Sequence, residues 1–285
     1  MSKTTLTNFK TGFNVKPSSV NNFGDVTFTD GTNELQPNQL QCEAYGYTYN
    51  PATGTCRAFQ YSNTLSTAIT NETNVVKGQG NTTIPGSNNI YILGENNTAN
   101  ALSKNVIISG TNNQVAESVY NSNVFGTLGN ATADNSIVLG GNTTGDILGE
   151  RQSIQVMYGG QTNNGTNTIT YLNNTTDKLL PVPENAVMYF HADVIAVRIG
   201  GAAASGNVGD YASWVERGVI INESGTLSVN RERDSIKSNG EVTGWQPTGI
   251  ASGTNFAMRV RGATDMRIEW CSNITFTQIQ TSVAL

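Results

Sequence analysis

The chain has 285 residues and a mass of 30.4 kDa, with a formal net charge of −5 and a pI near 4.9. Only 13% of its residues are charged, against roughly 25% in an ordinary soluble domain, while 36 Asn and 36 Thr make up about a quarter of it. With 37% apolar residues it is too hydrophobic for a disordered chain; it also lacks helical or heptad spacing and any Lys/Arg stripe to neutralise phosphates. A folded, all-β chain that binds no nucleic acid is expected.

The start is polar, with Lys3 and Lys10 and no apolar core of a signal peptide, and no run of 18 apolar residues follows. The expectation is a chain made and kept in a cytosol, without membrane contact. Residues 1–73 read as a small β module, because Asp30-Gly31 follows GDVTFT as a hairpin signal. Cys42 and Cys56 flank a tyrosine-rich, turn-containing stretch and could face each other across a hairpin, whereas Cys271 is distant. Zinc needs more ligands at metal spacing than two thiols and the single histidine, His191, so no metal or other cofactor is expected. Two reduced, packed thiols are preferred to a disulfide for a protein assembled in a cytosol.

Between residues 74 and 149 the sequence repeats. Gly78, Gly94, Gly110, Gly126 and Gly140 lie 16, 16, 16 and 14 residues apart, and two residues before them stand Val76, Ile92, Ile108, Val124 and Val138. Asn89, Asn105, Asn121 and Asn135 stand five before the last four glycines, and Asn81, Asn96, Asn97, Asn112, Asn113 and Asn142 follow shortly after glycines. A short apolar run ending in Gly and Asn suits a strand followed by a tight, positive-φ turn. Each repeat is then one coil of a short parallel β-roll of about five coils, with the β-branched residues in one inward row and the asparagine amides stacked in ladders. Charge is scarce because a charge at a repeated position would sit about 4.8 Å from its copy. Apolar rows left facing outward predict three-fold packing, a homotrimer.

From residue 150 to 285 the period is lost. Alternating runs such as VMYFHADVIAVRIG, SWVERGVIIN and NFAMRVRGA, joined by Gly-, Asn- and Ser-rich turns, predict an antiparallel β-sandwich of the jelly-roll kind. MRIEWCSNITFTQIQ reads as a strand pair or one long strand near the end of the chain.

Chemistry is sparse. There is no G-x-S-x-G elbow and no phosphate-binding glycine loop, and His191, on one strand face with Tyr189 and Asp193, reads as a half-buried, hydrogen-bonded strand residue. A glycosidase needs only two carboxylates, and Asp210, Glu216, Glu232 and Asp234 are the candidates, although the RERD run at 231–234 reads more simply as a solvated turn or an ion pair between subunits. No catalytic residue is assigned, and the expectation is that the chain is not an enzyme. Tyr211, Trp214 and Trp245 lie near predicted loops and are the candidate receptor-binding aromatics, with core packing the preferred alternative for them.

The words DNSIVLGG and NNIYILGENN resemble the parallel β-roll of trimeric autotransporter adhesin heads, whose coils carry a similar N-S-x-x-[LIV]-G signature, a roll also found in phage fibres. The stretch QCEAYGYTYNPATGTCRAFQY, with the Asn-rich repeat and NVFGTLGNATADNSIVLGG, resembles virion structural proteins of marine and cyanobacterial phages. The resemblance implies a fibre-like or decorating virion protein: a homotrimeric tail fibre that meets a host-surface glycan or protein. By position and analogy, docking on other virion proteins falls to the N-terminal module. A capsid-decorating fibre and a short depolymerase tailspike are the alternatives.

Overall fold

A computed structural model describes residues 15–21, 24–58, 73–141, 147–172 and 177–285. The polar start of the chain and Asn142 lie outside the described residues. The chain falls into two compact units, residues 1–69 and 70–285.

In the first unit, β1 (Lys16–Val20), β2 (Val26–Thr29) and β3 (Glu34–Leu35) form an antiparallel sheet. The expected hairpin at Asp30-Gly31 joins β2 to β3. Asp30 accepts the N–H groups of Thr32 and Asn33 at 2.8 and 2.7 Å, which holds its carboxyl below the usual range, and Gly31 takes a φ of 103°. A short helix, α1 (Gln39–Ala44), begins at Asn38, whose side chain accepts Gln41 N–H while Gln41 reaches back, and a second hairpin follows, β4 (Thr48–Asn50) and β5 (Thr55–Arg57). Cys42 on α1 and Cys56 on β5 form a disulfide with Cα atoms 5.6 Å apart. This corrects the expectation of reduced thiols, which rested on compartment alone: both side chains are buried together beside Val15, Val26 and Phe28.

The repeat forms a two-sided parallel solenoid. One side stacks β6 (Val75–Lys77), β8 (Asn88–Glu95), β10 (Lys104–Thr111), β12 (Asn123–Thr127) and β14 (Ile137–Gly141), and the other stacks β7 (Thr82–Thr83), β9 (Thr98–Ala99), β11 (Gln114–Val115) and β13 (Asn130–Ala131). Five glycines thus mark four complete turns and a fifth strand. The register pairs Val76, Ile92, Ile108, Val124 and Val138 in one row, as the period requires. The last four are at most 1% exposed and meet Ala99, Val115 and Ala131 from the opposite side, whereas Val76, on the edge strand, is 42% exposed. The 14-residue spacing arises between Ala131 and Val138, seven residues apart where the in-register pairs Val115 and Val124, and Ala99 and Ile108, are nine apart.

Two asparagine ladders run along the stack. Outside, Asn89, Asn105, Asn121 and Asn135 each take a φ near 56° and pass one amide bond to the next at 2.7, 2.8 and 3.1 Å. Inside, Asn97 and Asn113 are essentially unexposed. Asn97 Oδ1 accepts from Asn113 N and Nδ2, and its own Nδ2 donates to Asn81 Oδ1 and to the Gly110 carbonyl. Where the period would place another Asn stands Gly129, whose N–H donates to Asn113 Oδ1, and Gln152 Oε1 then caps Asn130 N–H at 2.9 Å. Glycine recurs because each turn's backbone lies against the next. A Cβ on Gly94 would run into the Gly110 carbonyl, and one on Gly110 into that of Gly126.

Beyond the solenoid the same sheet continues in antiparallel fashion. β15 (Arg151–Thr162) pairs with β14, then come β23 (Arg267–Gln280), β18 (Ala186–Gly200), β19 (Tyr211–Glu223) and β20 (Thr226–Asn239). MRIEWCSNITFTQIQ, from its second residue onward, is therefore one 14-residue strand within the sheet, paired on both sides. Its inward residues alternate strictly, as do those of β18, so Ile274, Phe276, Met188 and Phe190 line one face. A small sheet covers that face: β22 (Asn255–Arg261) is flanked by β21 (Gln246–Ser252) on one side and by β16 (Asn167–Leu172) and β17 (Leu180–Pro181) on the other. Phe256 of β22 packs on Phe190 and Phe276, and Tyr158 of β15 ties the layers by donating to the Phe256 carbonyl at 2.9 Å and accepting Leu180 N–H at 2.8 Å.

Candidate functional site

The outward face of the solenoid sheet carries two in-register rows. One is Val75, Tyr91, Ile107, Asn123 and Ile137, and the other is Lys77, Leu93, Ser109, Phe125 and Leu139. These side chains follow from alternation: with Ile92, Ile108, Val124 and Val138 turned inward, their neighbours must point out. Tyr91, Leu93, Ile107, Phe125, Ile137 and Leu139 are 38–57% exposed, and Lys77, at the edge, is the one charged residue of the two rows. These rows form a contiguous apolar patch on the outside of the solenoid. Past β14 the face becomes mixed: Ser153 and Gln155 on β15 pair with Thr277 and Thr275 on β23, which in turn face Tyr189 and His191 on β18, and Met157, Ile195 and Ile279 are exposed among them.

The aromatic candidates lie elsewhere. Trp214 stacks on Trp270 with centroids 5.7 Å apart and planes 19° apart, and Trp245 packs against the same ring at 6.3 Å. Trp214 and Trp245 are 6% and 5% exposed, so all three tryptophans of the chain form one interior cluster and their rings are not surface groups. Trp270 Nε1 donates to Thr162 Oγ1 at 2.9 Å. Tyr211 opens β19 and is half-buried. His191 lies on the outer face of β18 with its side chain 46% exposed, 3.3 Å from Asp193.

Of the four candidate carboxylates only Glu232 and Asp234 are brought together, around Arg217. Asp210 is buried and accepts the N–H groups of Asn207 and Glu241, closing a loop. RERD is exposed, as a solvated run should be, but it is not a turn: it lies mid-strand in β20, where pairing with β19 runs through it, Glu216 facing Arg233 and Arg217 facing Glu232. Alternation then splits the run: Glu232 and Asp234 reach Arg217 on one face at 3.9 and 3.5 Å, while Arg231 and Arg233 lie with Glu216 on the other. Glu216 Oε1 accepts Gly249 N–H at 2.7 Å and forms an ion pair with Arg231 Nε at 3.0 Å. Burial pushes its carboxyl above the usual range, against the lowering pull of Gly249 N–H, Arg231 and Arg233. Arg259, Gln246 and Thr248 complete this polar cleft. None of these three stands out in the sequence; the R-x-R spacing of Arg231 and Arg233 is the signal that could have placed two guanidiniums on one strand face. Among the described residues no group of three or more His, Cys, Asp and Glu is arranged to hold a metal ion.

No family model matches the chain, and no curated protein matches it. Among solved structures it is weakly similar to the tailspike protein of Acinetobacter baumannii phage AM24, at 11% identity and a TM-score of 0.27 over 71% of this chain and 48% of that one. It is likewise similar to tailspike gp49 from the A. baumannii bacteriophage Fri1, a capsular polysaccharide depolymerase (10%, 0.26, 66% and 41%), and to the Acinetobacter phage vB_ApiP_P1 tailspike (9%, 0.21, 73% and 55%). The chain spans about half the length of the tailspikes it matches. The expectation that it is not an enzyme is corrected by these neighbours, one of which is a depolymerase. Glycan hydrolysis by two carboxylates leaves no linear motif, so the missing motifs on which that expectation rested do not bear on it.

Proposed function

We propose that the chain is part of a bacteriophage tail fibre or tailspike and works as a homotrimer, its solenoid forming a stem and its antiparallel sandwich offering surface to the host cell. The observation that carries this reading is the pair of in-register, nearly uncharged apolar rows on the outer solenoid face, from Tyr91 and Leu93 to Ile137 and Leu139. Identical rows on three copies meet like with like, and joining them removes the patch from water at about 25 cal/mol for each Å² buried. The resemblance of the repeat to the rolls of trimeric adhesin heads and phage fibres points the same way. The first unit, with its own disulfide-linked core, is the part proposed to dock on other virion proteins.

Gold-labelled antibody on intact particles tests the reading. Label on the tail is expected, and purified chain added to cells should block adsorption. Label confined to the capsid would replace the tail assignment with that of a head-decorating fibre, and no label on any particle would end it. Removal of residues 1–60 should release the protein from particles; retention would overturn the docking role of that unit.

A further inference from the structure

At the rim where β20 faces the small sheet lies a cleft of about 350 Å³ lined by Glu216, Arg231, Arg233, Gln246, Thr248 and Arg259. Glu216 is 0% exposed. Its Oε1 is engaged by Gly249 and Arg231, but its Oε2 is buried and has no partner among the described residues. Arg233 is held in place by the Pro247 carbonyl, Thr248 Oγ1 and Gln246 Oε1. The Arg259 side chain, on a strand paired at both edges, takes no hydrogen bond or ion pair among the described residues. A fastening of β19 to β20 and β21 needs only Glu216, Arg231 and Gly249. It leaves unexplained a third guanidinium turned into the same space and a buried carboxyl oxygen without a partner, a costly arrangement unless something else meets it.

Three guanidiniums around one carboxyl make the cleft cationic, and arginine forks match the planar geometry of a carboxylate. The rest of the lining is hydroxyl, amide and carboxyl, suited to a ligand rich in hydroxyl groups, and the volume lies at the small end of ligand pockets, the size of a single ring. We propose that this cleft binds a carboxylate-bearing sugar unit of an acidic glycan, Arg259 and Arg231 pairing with the carboxylate and Glu216 Oε2 and Thr248 Oγ1 meeting ring hydroxyls. The proposal rests on the reading of the chain as a phage fibre or tailspike that meets a host surface, and supplies the class of surface it meets.

The test is calorimetric titration of the full chain with tri-galacturonate, with the matching neutral galactose trisaccharide, and with inorganic phosphate. Tri-galacturonate is expected to bind at least tenfold more tightly than either. Arg259→Gln should weaken it tenfold or more at an unchanged melting temperature, and Arg259→Lys, which keeps the charge but not the fork, should restore only part of the loss. Should Arg259→Gln melt early, Glu216→Gln, which preserves size and hydrogen bonding to Gly249, gives the second reading, again a loss of at least tenfold. Absence of tri-galacturonate binding, equal binding of the neutral sugar, equal binding of phosphate, or indifference to both substitutions would each overturn the site. Particle labelling is independent of this. Label on tails without uronate binding removes the cleft and keeps the fibre, whereas uronate binding without label removes the fibre reading.

Discussion

The solenoid and the antiparallel sandwich share one sheet through β14 and β15, yet the two halves are specified by different properties of their sequences. In the solenoid the identity of a residue matters at each copy: glycine where one turn touches the next, asparagine where an amide must both give and accept along the stack. In the sandwich alternation is enough, since any well-shaped apolar residue can fill an inward position of β18 or β23. A repeat that is locally demanding sits beside a sheet that is locally permissive, and substitution can measure the difference.

The largest effect is expected where demand is strictest. Gly110→Ala sets a Cβ against the Gly126 backbone at a φ of 131°, and should cost more than about 4 kcal/mol or prevent folding. Gly225→Ala, in the β19–β20 turn at a φ of 88° with nothing within 4 Å of the added carbon, should cost only about 1–2 kcal/mol. Equal losses in thermal or urea melts would remove the distinction. In the permissive half, Phe190→Ala should cost about 3–5 kcal/mol while Phe190→Leu costs much less, since volume rather than identity is at stake there.

Next in size, Cys42→Ala with Cys56→Ala should remove about 3 kcal/mol from the first unit and leave the melt of residues 70–285 where it was. The ladders divide by burial. Asn113→Ala strands Gly129 N–H and the Gly126 carbonyl and should cost about 2–3 kcal/mol, whereas Asn105→Gly, which keeps the positive φ on the exposed ladder, should cost less than about 1 kcal/mol. Smallest near neutral pH is a titration in the sandwich. Burial pushes the Tyr158 phenol well above its ordinary value of 10. Above pH 10 the unfolded chain therefore loses a proton that the native one keeps, and stability falls as pH rises. Urea melts between pH 8 and 11 should show that slope, and Tyr158→Phe should flatten it.

Much of the solenoid was legible because its period repeats the same physical constraint five times; the inward row from Ile92 to Val138 and the amide ladders follow from spacing alone. Val76 escaped because β6 pairs on one side only among the described residues, and spacing does not mark ends. The disulfide was misjudged because reduced thiols were inferred from the compartment, which says nothing of the approach of helix to hairpin that brings Cys42 and Cys56 together. Trp214, Trp245 and Trp270 converge from three strands or loops far apart in the chain, so their cluster has no local signal. The cleft at Glu216 was hidden for a related reason: which carboxylates share a face depends on the register of β19 with β20, and Arg259 and Thr248 arrive from another sheet.

In the proposed trimer the apolar face of the solenoid joins copies of this chain. Light scattering on the chromatographed protein should give three times the 30.4 kDa of one chain, and Leu93→Glu with Leu139→Glu, both at exposed positions, should give single folded chains. A wild-type protein that stays at 30.4 kDa across the accessible concentration range, or a trimer unmoved by the two glutamates, would contradict it.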